Sequence, residues 1–145
     1  MTEIAKNEDK TSIIDDKSLL IVDDDNPFRE RLSRAMEKKG FTVSQAESIK
    51  AALNSLKTQK PAYAVVDLRL GDGNGLEVVK EIQSLKIKSR IVMLTGYGNI
   101  PTAVAAIKEG AIDYLAKPAD AEDVEKALLA DPNQKPSPPE NPMSA

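Results

Sequence analysis

From Ser18 to about Ala130 short apolar runs alternate five times with stretches whose apolar residues recur at helical spacing. LLIV up to Val22, AYAVV up to Val66 and IVML up to Leu94 are continuous apolar runs bounded by polar and turn residues, the pattern of strands buried on both faces. FTVS and AIDYLA are weaker runs and read as a second and a fifth strand. The first helix is predicted to begin near Pro27 behind an Asn26 cap, to align Phe28, Leu32, Ala35 and Met36, and to stop at Gly40. A second carries Ile49, Ala52, Leu53 and Leu56 on one face, and a third Leu76, Val79 and Ile82. A fourth carries Ile100, Ala103, Val104 and Ile107 and closes at Gly110; the last runs from about Asp120 with Val124, Ala127 and Leu128 inward. Strands and helices in strict alternation predict an α/β fold of stacked β-α units on a parallel sheet.

The residues just past each strand are chemically selective. The first run meets Asp23, Asp24 and Asp25, the third Asp67, the fourth Thr95, and the fifth reaches Lys117 before Pro118. Parallel strands bring their carboxyl ends to one edge, where open α/β sheets bind ligands, and in the strand order 2-1-3-4-5 the first and third strands are neighbours. Asp23, Asp24 and Asp67 would then converge, and such carboxylates raise one another's pKa unless a cation sits among them. Oxygen-only ligands suit Mg²⁺, which takes one or two carboxylates and keeps waters. Lys117 would set a point charge on a phosphoryl oxygen and Thr95 a hydroxyl beside it. Taken singly, each has a plain structural role, Asp25 most of all as a turn former or cap. Lys117-Pro118 is a candidate cis bond, and Tyr114 is a core aromatic or a side chain that changes rotamer with site occupancy. In GDGNG, Leu70 stands where a calcium loop needs its first carboxylate, so Asp72 and Asn74 make no such loop, and Gly71, Gly73 and Gly75 read as turn residues.

The flanks differ from this core. Residues 1–17 carry no period and read as a mobile leader. Residues 131–145 hold five of the nine prolines and read as a stiff linker to something beyond. With neither cysteine nor histidine, the chain can form no disulfide, thiolate zinc site or imidazole-based nucleophile pair, so covalent chemistry falls to Asp, Lys, Ser, Thr or Tyr. Aromatics are 3% of the residues, which leaves the core to Val, Ile, Leu and Ala. A net charge of -3 with interspersed signs gives no footprint for nucleic acid, and no segment approaches the roughly 20 apolar residues of a membrane span. The expectation is a soluble, cytoplasmic chain with no membrane contact.

Together the aspartate pair, VVDLRLGDGNG, MLTG and LAKPAD resemble the receiver domain of two-component response regulators over about Ser18 to Ala130. VVDLRLGDGNGL, LTGYGNIPTAVAAIK and DYLAKPADAEDV are similar to the redox-responsive RegA/PrrA/ActR group, and PPENPMSA to the linker that group places before a helix-turn-helix domain. The resemblance implies a flavodoxin-like (βα)5 receiver at 18–130, with a five-stranded parallel sheet in order 2-1-3-4-5 and helices on both faces. It implies Asp67 as phosphoacceptor, and Mg²⁺ held by Asp24, by Asp23 mainly through water, by Asp67 and by the backbone carbonyl of Arg69. Thr95 and Lys117 would contact the phosphoryl group, with Thr95 and Tyr114 as the switch pair. A sensor histidine kinase would be the phosphoryl donor, a homodimer the product of phosphorylation, and a DNA-binding domain outside this chain the effector. Self-hydrolysis would depend on Arg69 and Tyr97. Two residues depart from the common pattern: Leu70-Gly71 replaces Met-Pro, implying a looser loop after it, and Pro101 enters the first turn of the fourth helix. The alternatives are a haloacid-dehalogenase-type phosphatase, with Asp23 as nucleophile and Asp25 as acid, and an unphosphorylated interaction module.

Overall fold

A computed structural model describes residues 16–96 and 100–130. The leader and the linker, apart from residues 16 and 17, and Tyr97 lie outside the described residues. The chain runs β1 (Ser18–Val22), α1 (Asn26–Lys38), β2 (Thr42–Ala46), α2 (Ile49–Leu56), β3 (Tyr63–Asp67), α3 (Leu76–Ser84), β4 (Arg90–Thr95), α4 (Ile100–Lys108), β5 (Asp113–Ala116) and α5 (Ala121–Leu129). The five strands are parallel, as expected from the alternation, and lie in the order β2-β1-β3-β4-β5 that the family resemblance implies.

Successive side chains of a strand point to opposite faces, and this divides the core in two. Leu20, Val22, Ala64, Val66, Ile91 and Met93 face α2, α3 and α4, meeting Ala52, Leu56, Val79, Ile82 and Ala106. Leu19, Ile21, Val65, Val92 and Leu94 face α1 and α5, meeting Leu32, Met36, Val124 and Leu128. The central strands are therefore apolar throughout, whereas the outer strands β2 and β5 are partly exposed, which is why FTVS and AIDYLA carry the weaker signal.

Three local expectations are corrected. The cap of α1 is Asp25: its backbone is extended (φ -83°, ψ 97°) and its carboxylate accepts from the Phe28 amide at 3.1 Å, while Asn26 is already helical. In α4 the inward residues are Ala103 and Ala106, whereas Val104 and Ile107 are 41% and 38% exposed. A helix that is apolar nearly all round offers overlapping stripes, and small residues let it approach the sheet closely, so periodicity alone could not choose its face. The fifth strand starts at Asp113, because Ala111 is still bonded back to the Ala106 carbonyl as α4 ends.

Candidate functional site

Strand register decides what meets at the carboxyl edge. Val22 lies opposite Val66, and Asp67 opposite Leu94, so Asp23 and Asp67 leave adjacent strands at one level. Thr95 ends β4 opposite Ala116, and Lys117 comes next, its amide donating to the Thr95 carbonyl at 2.8 Å. The Lys117-Pro118 peptide is cis.

Asp23, Asp24 and Asp67 each offer a carboxylate oxygen within 4.8 Å of the others. Asp23 and Asp67 are buried and Asp24 is exposed, so the cluster has a closed floor and an open mouth. The Lys117 amine bridges the two buried acids, 3.0 Å from Asp23 Oδ2 and 3.2 Å from Asp67 Oδ2. The other oxygens are spoken for by backbone: the Asp25 amide donates to Asp23 Oδ1 at 2.9 Å and the Arg69 amide to Asp67 Oδ1 at 3.2 Å.

Burial first, and then the charge of Asp23, push the Asp67 carboxyl from 3.8 up to about 6, against the opposing pull of Lys117 and the Arg69 amide. Burial works against the charged form of Lys117 too, but its hydrogen bond to Asp23 and the charges of both acids outweigh it, and its pKa is raised. Burial and the Asp23 charge together keep Asp67 hard to ionise, and three acids around one amine leave negative charge in excess. A hard divalent cation among the three oxygens would relieve that excess, and an all-carboxylate set is the chemistry such ions prefer. The residues present thus fit a divalent metal.

The other expected residues are placed around this centre. Arg69 reaches Asp67 through its amide. Thr95 is buried on the neighbouring strand, its hydroxyl donating to the Gly96 carbonyl at 3.1 Å. Tyr114 is half-buried against the core on the α2-α3-α4 side. The Asp25 carboxylate caps α1 by accepting from the Phe28 amide.

Two residues at the site escaped sequence reasoning. Arg29 is buried and donates to the Asp23 carbonyl at 2.9 Å, to Asn26 Oδ1 at 2.6 Å and to Gln45 Oε1 at 2.8 Å, fixing the start of the acidic segment. Its signal was present, because Arg29, Leu32, Ser33 and Met36 keep the helical period and put a charge in the buried stripe. Phe28 lies under the Lys117 amine, 4.8 Å from ring centre to nitrogen, an attraction that helps hold the cation inward.

Gly75 is required by close approach. Its backbone is ordinary (φ -60°, ψ -15°), but a methyl group there would overlap the Asp67 carbonyl oxygen and crowd Val66. Gly75→Ala is expected to cost about 1–3 kcal/mol, read as a lower urea midpoint, because the β3 end must move to admit it.

Residues 19–129 match the response regulator receiver domain. The chain belongs to that family. It is 60% identical over 130 residues to the photosynthetic apparatus regulatory protein RegA of Rhodobacter capsulatus, covering 90% of this chain and 71% of that protein. It is 58% identical over 130 residues to the acid tolerance regulatory protein ActR of Sinorhizobium medicae, covering 90% and 67%. Among solved structures it is similar to a response regulator from Burkholderia pseudomallei with a phosphorylated aspartic acid, a calcium ion and citrate. That match has a TM-score of 0.75 and 40% identity, over 81% of this chain and 69% of that one. The receiver is a signalling domain of two-component systems, which sets aside the phosphatase reading. No helix among the described residues is long and apolar enough to cross a membrane.

Proposed function

We propose that Asp67 is the phosphoacceptor of this receiver and that Asp23, Asp24, Asp67 and the Arg69 carbonyl hold the Mg²⁺ its phosphorylation needs. The observation that carries this reading is the Lys117 amine bridging Asp23 and Asp67 beside an acid trio within 4.8 Å. An Asp67 oxygen attacks the phosphorus of a phosphohistidine on a sensor kinase; the O–P bond forms as the N–P bond breaks, and the imidazole leaves with the electron pair. Mg²⁺, when bound, supplies positive charge to the transferring phosphoryl oxygens. Lys117 moves with the new anion from the carboxylate to a phosphoryl oxygen. Thr95, whose hydroxyl donates to the Gly96 carbonyl, can turn that hydroxyl to another phosphoryl oxygen, and Tyr114 takes the space that Thr95 vacates.

In this reading the receiver spans 18–130 and residues 131–145 lead to a helix-turn-helix domain of the RegA/PrrA/ActR kind, through which alone DNA is bound. The greater length of the matched regulators supports it. Phosphorylation favours a homodimer, for which the exposed Val104, Ile107 and Ile112 offer apolar surface. Cytoplasmic residence belongs to the same reading.

Incubation with a small phosphodonor and Mg²⁺, and then intact mass, tests the chemistry. The parent chain is expected to gain one phosphoryl group and Asp67→Asn none; equal gain in both would reassign the acceptor.

A further inference from the structure

The loop from Arg69 to Gly75 lies beside the acid trio, its Arg69 amide donating to Asp67 Oδ1 at 3.2 Å, yet it has little to stiffen it. Three of its seven residues are glycines, and its internal order is a two-residue antiparallel ladder pairing Arg69 with Asn74 and Leu70 with Gly73. Glycines widen the range of conformations the unconstrained chain can adopt. Among the described residues, Asn74 Oδ1 accepts from the Leu76 amide that opens α3 at 2.8 Å, and the loop's side-chain hydrogen bonds to α2 come from Asp72. Its Oδ1 accepts from the Ile49 amide at 3.0 Å and its Oδ2 from the Lys50 amide at 3.1 Å. These are the first two amides of α2; the third, of Ala51, is taken by Ser48 Oγ at 3.0 Å.

The grip has good physical grounds. A carboxylate on two free amides at the positive end of a helix makes charge-assisted bonds, and those amides hold the Asp72 pKa low. Gly73, at φ +149° where only glycine is at ease, lies against the tip of Ile49; a methyl group there would come within 2.8 Å of Ile49 Cδ1. On the loop's other side, a methyl on Gly71 would sit 3.4 Å from Asp24 Oδ2. The loop is thus held at the start of α2 and passes beside the exposed acid of the trio.

We infer that Asp72 is a positioning residue: by holding the first amides of α2 it fixes the Arg69–Gly75 loop, and with it the Arg69 carbonyl and the wall beside Asp24, in the geometry that receives the metal. The inference rests on reading the trio and the Arg69 carbonyl as the metal site. Asp72 here supplies by side chain the rigidity that a proline at Gly71 would supply by backbone.

Asp72→Ala, Asp72→Asn and Ser48→Ala separate this role from simple helix capping. In metal-free buffer, amide hydrogen exchange of peptides covering 69–75 is expected to speed up in Asp72→Ala and to stay at the parent rate in Ser48→Ala, which weakens the same helix end without touching the loop. In Mg²⁺ titration by calorimetry, Asp72→Ala is expected to bind about tenfold more weakly, the scale of losing an outer-shell support. Asp72→Asn, which keeps one acceptor oxygen, should fall between, and Ser48→Ala should match the parent. Unchanged exchange in Asp72→Ala overturns the grip; faster exchange with unchanged Mg²⁺ affinity overturns its positioning role. Neither result depends on phosphoryl transfer, so a failure of Asp67 to take up phosphate would be seen separately, by mass.

Discussion

Replacing Asp67 by asparagine should stabilise the metal-free chain at pH 7 even as it removes the proposed phosphoacceptor. The folded state holds this carboxyl at about 6 against an ordinary 3.8, so native Asp67 binds its proton more tightly than the unfolded chain does. Stability is then greatest with the group protonated, declines as pH rises from about 3.8 through about 6, and is flat above. The shift corresponds to an upper bound of about 3 kcal/mol at neutral pH, taking about 1.4 kcal/mol per pKa unit. The asparagine oxygen can still accept from Lys117 or the Arg69 amide without carrying charge into a buried site. Melting curves of parent and Asp67→Asn should coincide toward pH 4, separate between about pH 4 and 6, and stay apart by a constant amount above that. An asparagine variant that is less stable at pH 7, or a gain that does not change with pH, would contradict the account. Mg²⁺ should narrow the gap, since it stabilises the parent by binding only its native state and finds a poorer site in the variant.

Such a cost at the acid cluster also explains which features are legible in the sequence. Val22, Val66 and Leu94 end apolar runs because they are buried in central strands, and polar residues placed just after such runs must emerge at one edge. Asp23, Asp67, Thr95 and Lys117 are therefore readable as a group from the chain alone, and the register brings them to one level. Less legible are features decided by packing across the chain. Asp25 and Asn26 are both good caps, and the folded chain uses Asp25 for the Phe28 amide while Asn26 takes up Arg29. The inward face of α4 is set by the close fit of Ala103 and Ala106, which a count of apolar residues ranks below Val104 and Ile107. Asp72 is visible in the sequence only as a failed calcium ligand, because its partners are backbone amides 22 and 23 residues away and backbone groups leave no mark on a sequence.

Lys117→Met should have the opposite effect to Asp67→Asn. Methionine keeps the length and the contact with Phe28 but leaves Asp23 and Asp67 facing each other without the amine that now lies 3.0 and 3.2 Å from them. Removing one partner of a buried ion pair costs about 3–5 kcal/mol, because the charge left behind stays out of water. The cost falls due when Asp67 is ionised. Without the lowering pull of Lys117 its pKa must climb further above about 6, so the variant should take up a proton at Asp67 on moderate acidification. The gap in unfolding free energy between parent and Lys117→Met is therefore expected to be widest near pH 8 and to shrink toward pH 5. The raised pKa of Lys117 itself adds nothing to this slope, since its stabilising effect is complete below 10.5. Phosphoryl uptake should also slow by about 10²–10³-fold, the usual loss when one preorganised charge is taken from a developing anion. In the double variant Asp67→Asn, Lys117→Met, most of the stability lost to Lys117→Met should return, because the carboxylate that needed the amine is gone. If the double variant is as unstable as Lys117→Met alone, Lys117 holds the fold through Asp23 and Phe28, and the Asp67 charge is not the source of the strain.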